Sequence, residues 1–400
     1  MTPGPTNSIP SSRAQLLPLY AAGFVAAFGS FGTAASLAGY LQFQHTNLLA
    51  LGVLLATYSF AEILFKPVFG ALADRIGARP VVIGGLVVFA VASAAFVVAH
   101  NLELVGLARF GQGIAAAAFS PTAGAVIARL TPTAPRALDS YCAWKALGYT
   151  LGPLVGGVLI TVGGYSSLFT TLAVLASAVA GWVALVMPAV DMPPRTRLTV
   201  VDFARRLSSG WFLRPAAALA GASAALAVGV GFLPVLGARD GLGPLSTGLI
   251  VSVFAATVTT VQPRVVRARE SWRLADHTGM AIGLIVAASG IAVAAMLPGT
   301  GALVCAAVIT AIGIALITPR GFAYLTRTSP PDLAGQTTGA AEIGRELGYA
   351  CGPLLIGGVS AVAPLHIGLL AMTVLLAAFA NLLALARPGP VDRPNGGLDS

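Results

Sequence analysis

Long apolar runs separated by short polar segments dominate the pattern of this chain. A helix needs about 20 apolar residues to cross the hydrocarbon core of a bilayer. Runs of that length occur at 16–41, 47–69, 80–99, 104–128, 140–162, 167–187, 216–236, 246–265, 279–297, 301–319, 336–361 and 366–385. The pattern therefore predicts an all-α integral membrane protein with twelve transmembrane helices, since spanning helices satisfy their own backbone hydrogen bonds inside lipid.

A polar interruption near the middle of the chain divides these runs into two sets of six. It covers 191–214, contains Pro193 and Pro194, and includes a stretch, 199–211, with the pattern of a short amphipathic helix on the membrane surface. We expect an N-terminal six-helix half at 1–190, a cytoplasmic linker with this helix at 191–214, and a C-terminal six-helix half at 215–400. The first apolar run lacks a small-residue cleavage pattern, so we expect it to be retained as a helix.

Composition supports a membrane protein and argues against a separate catalytic domain. Of the 400 residues, 56% are hydrophobic and 9% are charged, and the mean hydropathy is +0.86. Soluble domains carry about 25% charged residues. The three cysteines, Cys142, Cys305 and Cys351, lie in apolar segments without C-x-x-C spacing, so we interpret them as packing residues and expect no disulfide, metal site or cofactor.

The net charge of +9 follows from the topology. If successive loops alternate sides, one side carries eighteen arginines, namely Arg13, Arg75, Arg79, Arg129, Arg136, Arg195, Arg197, Arg205, Arg206, Arg214, Arg264, Arg267, Arg269, Arg273, Arg320, Arg327, Arg387 and Arg393. A loop on the other side carries Arg239. The positive-inside rule makes the arginine-rich side cytoplasmic and places both termini there. The basic loops can also bind anionic lipid head groups. Nucleic-acid binding, by contrast, requires a soluble basic surface with interleaved aromatic residues, and these loops do not have that pattern.

The two halves share an internal repeat. Residues 147–157 match 347–358 with one extra residue, at an offset of half the chain. A weaker copy relates Pro67 to Pro263. Small residues at this spacing let two helix backbones approach closely, so the repeat predicts helix packing. The packing residues are Gly148, Gly152, Pro153, Gly156, Gly157, Gly348, Gly352 and Pro353.

Three motifs carry a resemblance to a known family. After the second run come Gly70, Asp74, Arg75, Gly77 and Arg79, in the sequence GALADRIGAR, and the fourth run begins RFGQGIAA with Arg109 and Gln112. Together with the duplicated Gly-Pro repeat, these segments resemble the motifs of the major facilitator superfamily, in particular its drug and metabolite proton antiporters. Ala78 stands where the family pattern has a second basic residue.

The resemblance has several implications. It implies two pseudo-symmetric halves that expose a central site to each side of the membrane in turn. It also implies that the loop of Gly70 to Arg79 locks one conformation of the cycle. The position of the Gly-Pro motif in the fifth run favours export over uptake.

Charged residues inside the apolar runs are the candidates for function, because burying them in lipid is costly. Glu62 and Lys66 have the i,i+4 spacing of a helical ion pair. Glu342 and Glu346 share a helical face, where two carboxylates cannot both ionise cheaply, so we predict that Glu342, Glu346 and Glu62 couple transport to protons. The alternative is that Arg345 and Lys66 neutralise these carboxylates permanently. For the cavity itself we predict Arg109, Gln112, Lys145, Arg345, Tyr149 and Tyr349.

Two functions are consistent with these features. The first is alternating-access export of small amphipathic or drug-like molecules against protons; the second is a proton-coupled uptake symporter for a sugar, organic acid or other nutrient. We expect no enzyme, because the sequence lacks H-E-x-x-H, G-x-S-x-G and Walker motifs. The expected partners are a small-molecule substrate, protons and membrane lipids, and we expect a monomer in the inner (plasma) membrane.

Overall fold

A computed structural model describes residues 13–43, 47–131, 136–188, 210–268, 274–329 and 333–385. Its regular structure is helical throughout these ranges, and no strand occurs in them. The predicted all-α membrane fold is confirmed. The predicted amphipathic helix of the linker falls almost entirely outside the described residues.

The helices follow the predicted runs but are longer than most of them. They are α1 (Arg13–Phe43), α2 (Leu48–Ile76), α3 (Ala78–Val98), α4 (Leu102–Leu130), α5 (136–162), α6 (165–186), α7 (Gly210–Arg239), α8 (Pro244–Ala268), α9 (Asp276–Met296), α10 (Thr300–Thr328), α11 (Ala334–Ser360) and α12 (Leu365–Ala384).

Two glycines separate α5 from α6 inside the continuous helical stretch Arg136–Val186. Gly163 and Gly164 have non-helical backbone angles, and Gly164 has φ 73°, a conformation that other residues rarely adopt. The Ser167 hydroxyl donates to the carbonyl oxygens of Leu159 and Gly164 and so fastens the turn. This two-residue break divides the stretch into two helices, each long enough for one span, which is compatible with the twelve predicted spans.

Ten of the described helical stretches are long enough and apolar enough to cross a membrane, if α5 and α6 are taken as one stretch. The helix outside this set is α11, which carries Glu342, Arg345 and Glu346. The protein is therefore a multi-pass membrane protein. The spans lie side by side, with most of the arginine-bearing turns at one end of the bundle, the arginine-rich end, and the remaining turns, including the one at Arg239, at the opposite end.

Within each half, glycines of the repeat bring helices into close contact. A β-carbon at Gly148 would lie 2.5 Å from the carbonyl oxygen of Phe24 on α1. In the other half, a β-carbon at Gly352, the counterpart of Gly152, would lie 2.8 Å from the carbonyl oxygen of Ala224 on α7. The related Gly152 and Gly348 make the same kind of contact with α1 and α7, whereas Gly156 has only an ordinary contact with Leu168.

The two halves touch at two related crossings near the opposite end. Where α2 crosses α11, a β-carbon at Gly52 would lie 2.5 Å from the carbonyl oxygen of Pro353, and one at Gly357 would lie 2.8 Å from that of Leu48. Where α5 crosses α8, a β-carbon at Gly157 would lie 2.5 Å from the carbonyl oxygen of Pro244. These contacts close the bundle at the opposite end.

A substitution at one of these crossings should open the closed end. We predict that Gly357→Val destabilises this conformation by about 1–3 kcal/mol, because the new side chain must displace backbone atoms of α2. Gly358→Val is the matched control, since a β-carbon there meets open space. Spin labels placed where α2 and α11 reach the opposite end of the bundle should lie farther apart in Gly357→Val than in wild type. In Gly358→Val they should lie at the wild-type distance. Equal distances in both variants would contradict this account of the crossing.

Candidate functional site

Helix α2 separates lipid-facing residues from residues that face the other half. Phe60, Leu64 and Val68 recur every four residues and are exposed. Glu62 and Lys66 also lie one turn apart, but on another face of the helix. Because lipid is as apolar as these side chains, the exposed stripe is stable there, and the two charges are left for the interior of the bundle.

Lys66 joins the two halves of the protein. Its Nζ lies 2.8 Å from Oε1 of Glu62 on the same helix and 3.1 Å from Oε1 of Glu346 on α11. The expected Glu62–Lys66 pair therefore forms, but only as part of a larger arrangement. The ammonium group does not extend along the helix toward the membrane surface, because it is held between two carboxylates.

Arg345 extends this arrangement along α11. Its Nε lies 3.2 Å from Oε2 of Glu342, and its Nη2 lies 3.7 Å from Oε1 of Glu346. Together the five side chains form an alternating row of charges, which we call the charge row, in the order Glu342, Arg345, Glu346, Lys66 and Glu62. Alternation gives each buried charge an opposite neighbour, which offsets part of the cost of removing it from water.

The charge row is more exposed at its Glu342 end than at its Glu346 end. Side-chain exposure is 38% at Glu342 and 31% at Arg345, but 9% at Glu346 and 10% at Glu62. Glu342 lies one helical turn nearer the arginine-rich end than Glu346 does. The row therefore runs from an accessible carboxylate to two buried ones, behind which the glycine crossings close the bundle.

Lys145 approaches the charge row from α5. It interacts electrostatically with Glu62 and Arg345, and its Nζ lies 5.8 Å from the ring centre of Tyr141 and 5.9 Å from that of Tyr149. The Tyr149 ring in turn lies 4.4 Å from the ring of Phe31 on α1. A cation thus stands next to an aromatic surface at the meeting point of the two halves.

Arg109 occupies a separate, deeper polar cluster. Its side chain is buried, and its Nη1 donates to Oε1 of Gln112 over 3.0 Å. The amide nitrogen of Gln112 donates to Ser93 over 3.3 Å and to Thr33 over 3.5 Å. Gln112 therefore connects the guanidinium group of α4 to hydroxyls on α3 and α1.

Tyr58 links Arg109 to the rest of the site. The Arg109 guanidinium lies 4.7 Å from the Tyr58 ring centre, which is a cation–π contact, and it also interacts electrostatically with Tyr349. Helix α4 reaches this position because Gly113 packs directly on α2: a β-carbon there would overlap the Tyr58 carbonyl and lie 2.8 Å from the β-carbon of Ala61. The structure thus places Arg109 beside the tyrosines of the site and apart from the carboxylates.

The segment expected to be a locking loop is mostly helix. Helix α2 continues through Gly70, Asp74 and Arg75 to Ile76, and the turn is reduced to Gly77, whose φ of 87° favours glycine. Arg79 donates to the carbonyl oxygen of Ala184 near the end of α6. This contact satisfies a carbonyl that the helix leaves without an internal partner, and it ties α3 to α6 within one half.

Sequence reasoning left two residues out of the predicted site. From the sequence, Lys66 is expected only to neutralise a carboxylate, and Tyr58 is not singled out from the other aromatic residues of the apolar runs. One signal identifies Lys66: the chain has only two lysines, Lys66 and Lys145, among 21 arginines, and both lie at this site. The three cysteines differ from the prediction in another way, because their side chains are exposed rather than packed in the core.

The described residues contain no group of three His, Cys, Asp or Glu side chains suited to a metal ion. They hold instead a row of ion pairs that spans two related halves of a helical membrane bundle and is partly exposed at one end. This arrangement defines a membrane transporter. The chain belongs to the Major Facilitator Superfamily, which it matches over residues 19–274. Members of this family are transporters, not enzymes.

Relatives of known function match part of the chain. "Multidrug resistance protein 1" of Bacillus subtilis is 31% identical over 120 residues, which is 30% of this chain and 31% of that protein. "Quinolone resistance protein NorA" of Staphylococcus aureus is 30% identical over 115 residues, which is 28% of this chain and 29% of that protein. The matched stretch thus spans under a third of these relatives.

Solved structures share the fold over nearly the whole chain. A bacterial homologue of the human lysosomal transporter Spinster, in an inward-facing and occupied conformation, has a TM-score of 0.81 at 15% identity, covering 97% of this chain and all of that one. The nucleoside transporter NupG has a TM-score of 0.77 at 13% identity, covering 92% of this chain and 98% of that one. At these identities the likeness concerns the fold alone.

The Arg109 cluster provides a test of stability. We predict that Gln112→Leu lowers the free energy of unfolding by about 1.5–3 kcal/mol, because it removes the carbonyl acceptor of a buried guanidinium. Gln262→Leu, at a half-buried position on α8, should change it by less than about 0.5 kcal/mol. Thermal unfolding of the purified protein in detergent measures both. Equal melting temperatures in the two variants would mean that the Arg109–Gln112 bond contributes little.

Proposed function

We propose that this protein exports small amphipathic or drug-like molecules from the cell in exchange for protons. The observation that carries the proposal is the salt bridge between Lys66 and Glu346, which joins the halves through a buried carboxylate. A group that both binds protons and connects the moving parts is what coupled transport requires. Two relatives whose names refer to multidrug and quinolone resistance support the substrate class.

The conformation and orientation follow from the two ends of the bundle. The positive-inside rule makes the arginine-rich end cytoplasmic, with both termini there and the protein in the plasma (inner) membrane. The charge row is then accessible from the cytoplasm, and the glycine crossings close the outer side. In this orientation the protein is inward-facing, and substrate enters from the cytoplasm.

Protonation of Glu346 provides the coupling step. When Glu346 is ionised, it attracts Lys66 of one half and Arg345 of the other. A proton on Glu346 removes that charge and leaves two local pairs, Glu62 with Lys66 and Glu342 with Arg345. Each pair belongs to a single half. The halves can therefore separate at this point without exposing an unbalanced charge to the membrane interior.

The roles of the other predicted residues follow from their places. Lys145, Tyr149 and Tyr349 contact the substrate beside the charge row, and Arg109 with Gln112 forms the deeper wall of the site. Gly70, Asp74, Arg75, Gly77 and Arg79 brace the cytoplasmic end of the N-terminal half. Glu342 relays protons between the cytoplasm and Glu346.

A proton-coupled uptake symporter for an organic acid is the second candidate. It is favoured by the balance of charges among the described residues of the site, where four cations (Lys66, Arg109, Lys145 and Arg345) accompany three carboxylates (Glu62, Glu342 and Glu346). A proton on Glu346 and an anionic substrate would then strengthen each other's binding. The direction of transport separates the two candidates.

Vesicles of opposite orientation test this direction. Inverted membrane vesicles that contain the protein, with an interior more acidic than the medium, should accumulate the quinolone norfloxacin at least several-fold over vesicles without it. Collapse of the pH gradient with a protonophore should abolish the difference. Accumulation in right-side-out vesicles with an acidic medium, and none in inverted ones, would favour the symporter instead.

The carboxylate variants test the coupling. We predict that Glu346→Gln abolishes norfloxacin-driven proton movement in proteoliposomes, because the neutral amide cannot exchange a proton. Glu342→Gln should slow it, since the relay to the cytoplasm is lost. Glu103→Gln, at an exposed position at the start of α4, is the matched control and should behave as wild type. Unchanged coupling in both Glu342→Gln and Glu346→Gln would refute the proton role.

A further inference from the structure

A cavity of about 150 Å³ lies between the two halves near the opposite end of the bundle, apart from the charge row. Helices α1, α5 and α6 form its wall on the N-terminal side, and α7 and α8 form its wall on the C-terminal side. Helix α1 contributes Gly32, Ala35, Ser36 and Gly39, whose spacing places them on one face of the helix. We call this space the crossing cavity, because it adjoins the place where α5 crosses α8.

The crossing of α5 and α8 forms one side of the cavity. A β-carbon at Gly248 would overlap the carbonyl oxygen of Pro153, and one at Gly157 would lie 2.5 Å from the carbonyl oxygen of Pro244; all four residues line the cavity. The two backbones touch here, so the wall is continuous from one half to the other. Because the wall is shared, the cavity loses one side when the halves separate at this end.

The lining of the crossing cavity carries no charge. The described residues that line it include no Asp, Glu, Lys, Arg or His, and most of them are Gly, Ala, Pro, Leu or Ile. An ionised ligand would have no counter-charge in this space, and burying an unpaired charge is costly. The cavity therefore favours a neutral ligand. Its volume suits a single aromatic ring, since an apolar cavity of about 150 Å³ accepts benzene.

Tyr165 offers a polar contact to such a ligand. Its ring packs edge-on against Tyr40 with ring centres 5.3 Å apart, and its hydroxyl oxygen lies where a β-carbon of Gly39 would overlap it. These contacts hold the hydroxyl at the cavity wall. Within the part of the chain that the structure describes, this hydroxyl makes no hydrogen bond, so it can donate to an oxygen of the ligand.

The other hydroxyls of the lining are bonded to their own helices. Ser36 donates to the carbonyl oxygen of Gly32 over 2.6 Å. Thr247 donates to the carbonyl oxygen of Pro244 over 3.1 Å. Tyr165 is thus the hydroxyl of the lining from which a ligand can accept a hydrogen bond without breaking one inside the protein.

We propose that the crossing cavity binds a small neutral phenol, whose ring fills the apolar space and whose oxygen accepts a hydrogen bond from Tyr165. A molecule held between the halves binds the conformation that is closed at this end, and not one in which the walls have parted. It therefore shifts the population toward the closed conformation and inhibits transport. The inference rests on the proposed function in one respect, that the halves separate at this end during the cycle.

Three fluorinated probes test the chemistry of the cavity. They are 4-fluorophenol, fluorobenzene, which lacks the hydroxyl, and 4-fluorobenzoate, which is charged. Fluorine NMR with the purified full-length protein should show saturable binding of 4-fluorophenol and binding of fluorobenzene that is about two- to tenfold weaker, the loss expected for one neutral hydrogen bond. The benzoate should show no saturable binding that 4-fluorophenol displaces.

Variants then locate the site. Tyr165→Phe keeps the ring and should lower the affinity for 4-fluorophenol to that for fluorobenzene, with fluorobenzene binding unchanged within about twofold. Ala35→Leu places a larger side chain in the cavity and should remove saturable binding of both probes. Ala94→Leu, at an exposed position on α3, is the matched control and should bind both as wild type does.

Spin labels placed where α1 and α7 reach the opposite end of the bundle test the effect on conformation. In Gly357→Val, whose closed end should open, 4-fluorophenol should bring the labels back toward the wild-type distance. It should not do so when Ala35→Leu is added. A distance that lengthens with 4-fluorophenol, or that stays long at saturating probe, would overturn the inhibitory role.

Two binding results would overturn the site itself. They are saturable 4-fluorophenol binding of wild-type affinity in Ala35→Leu, and equal 4-fluorophenol affinity in Tyr165→Phe and wild type. Neither result bears on export, which stands if inverted vesicles accumulate norfloxacin under a pH gradient. Conversely, vesicles that never accumulate norfloxacin would refute the export proposal, while the binding and spin-label measurements would still decide this one.

Discussion

The salt bridge between Lys66 and Glu346 is the interaction on which the rest of the site depends. A charge inside the bilayer must have a counter-charge or reach water, and here the counter-charge of one half is supplied by the other. This requirement explains why α2 keeps its apolar stripe toward lipid and its charges toward α11. It also means that the two halves are joined at this point through a single carboxylate, that of Glu346.

The halves meet through two kinds of contact, one that depends on shape and one that depends on charge. The glycine crossings near the opposite end depend on shape alone, because carbonyl oxygens of one half occupy the space where a β-carbon of the other would lie. The charge row depends on opposite charges held at ion-pair distance. Inside each half, α5 packs on α1 and α11 on α7 through the same repeat. Rocking of two rigid halves is the motion that this division of contacts allows.

Much of this fold is readable from the sequence, because the bilayer imposes strict rules on length and charge. The runs of apolar residues located the helices, and the repeat related α5 to α11. The partners of the buried charges were not readable: Lys66 and Glu346 are 280 positions apart, and their meeting depends on how α2 and α11 are rotated. The apolar run predicts that α2 ends at residue 69. The helix instead continues through Asp74, because the residues after the run also favour helix, and it ends where Gly77 adopts a positive φ. The contact of Arg79 with α6 likewise depends on tertiary packing.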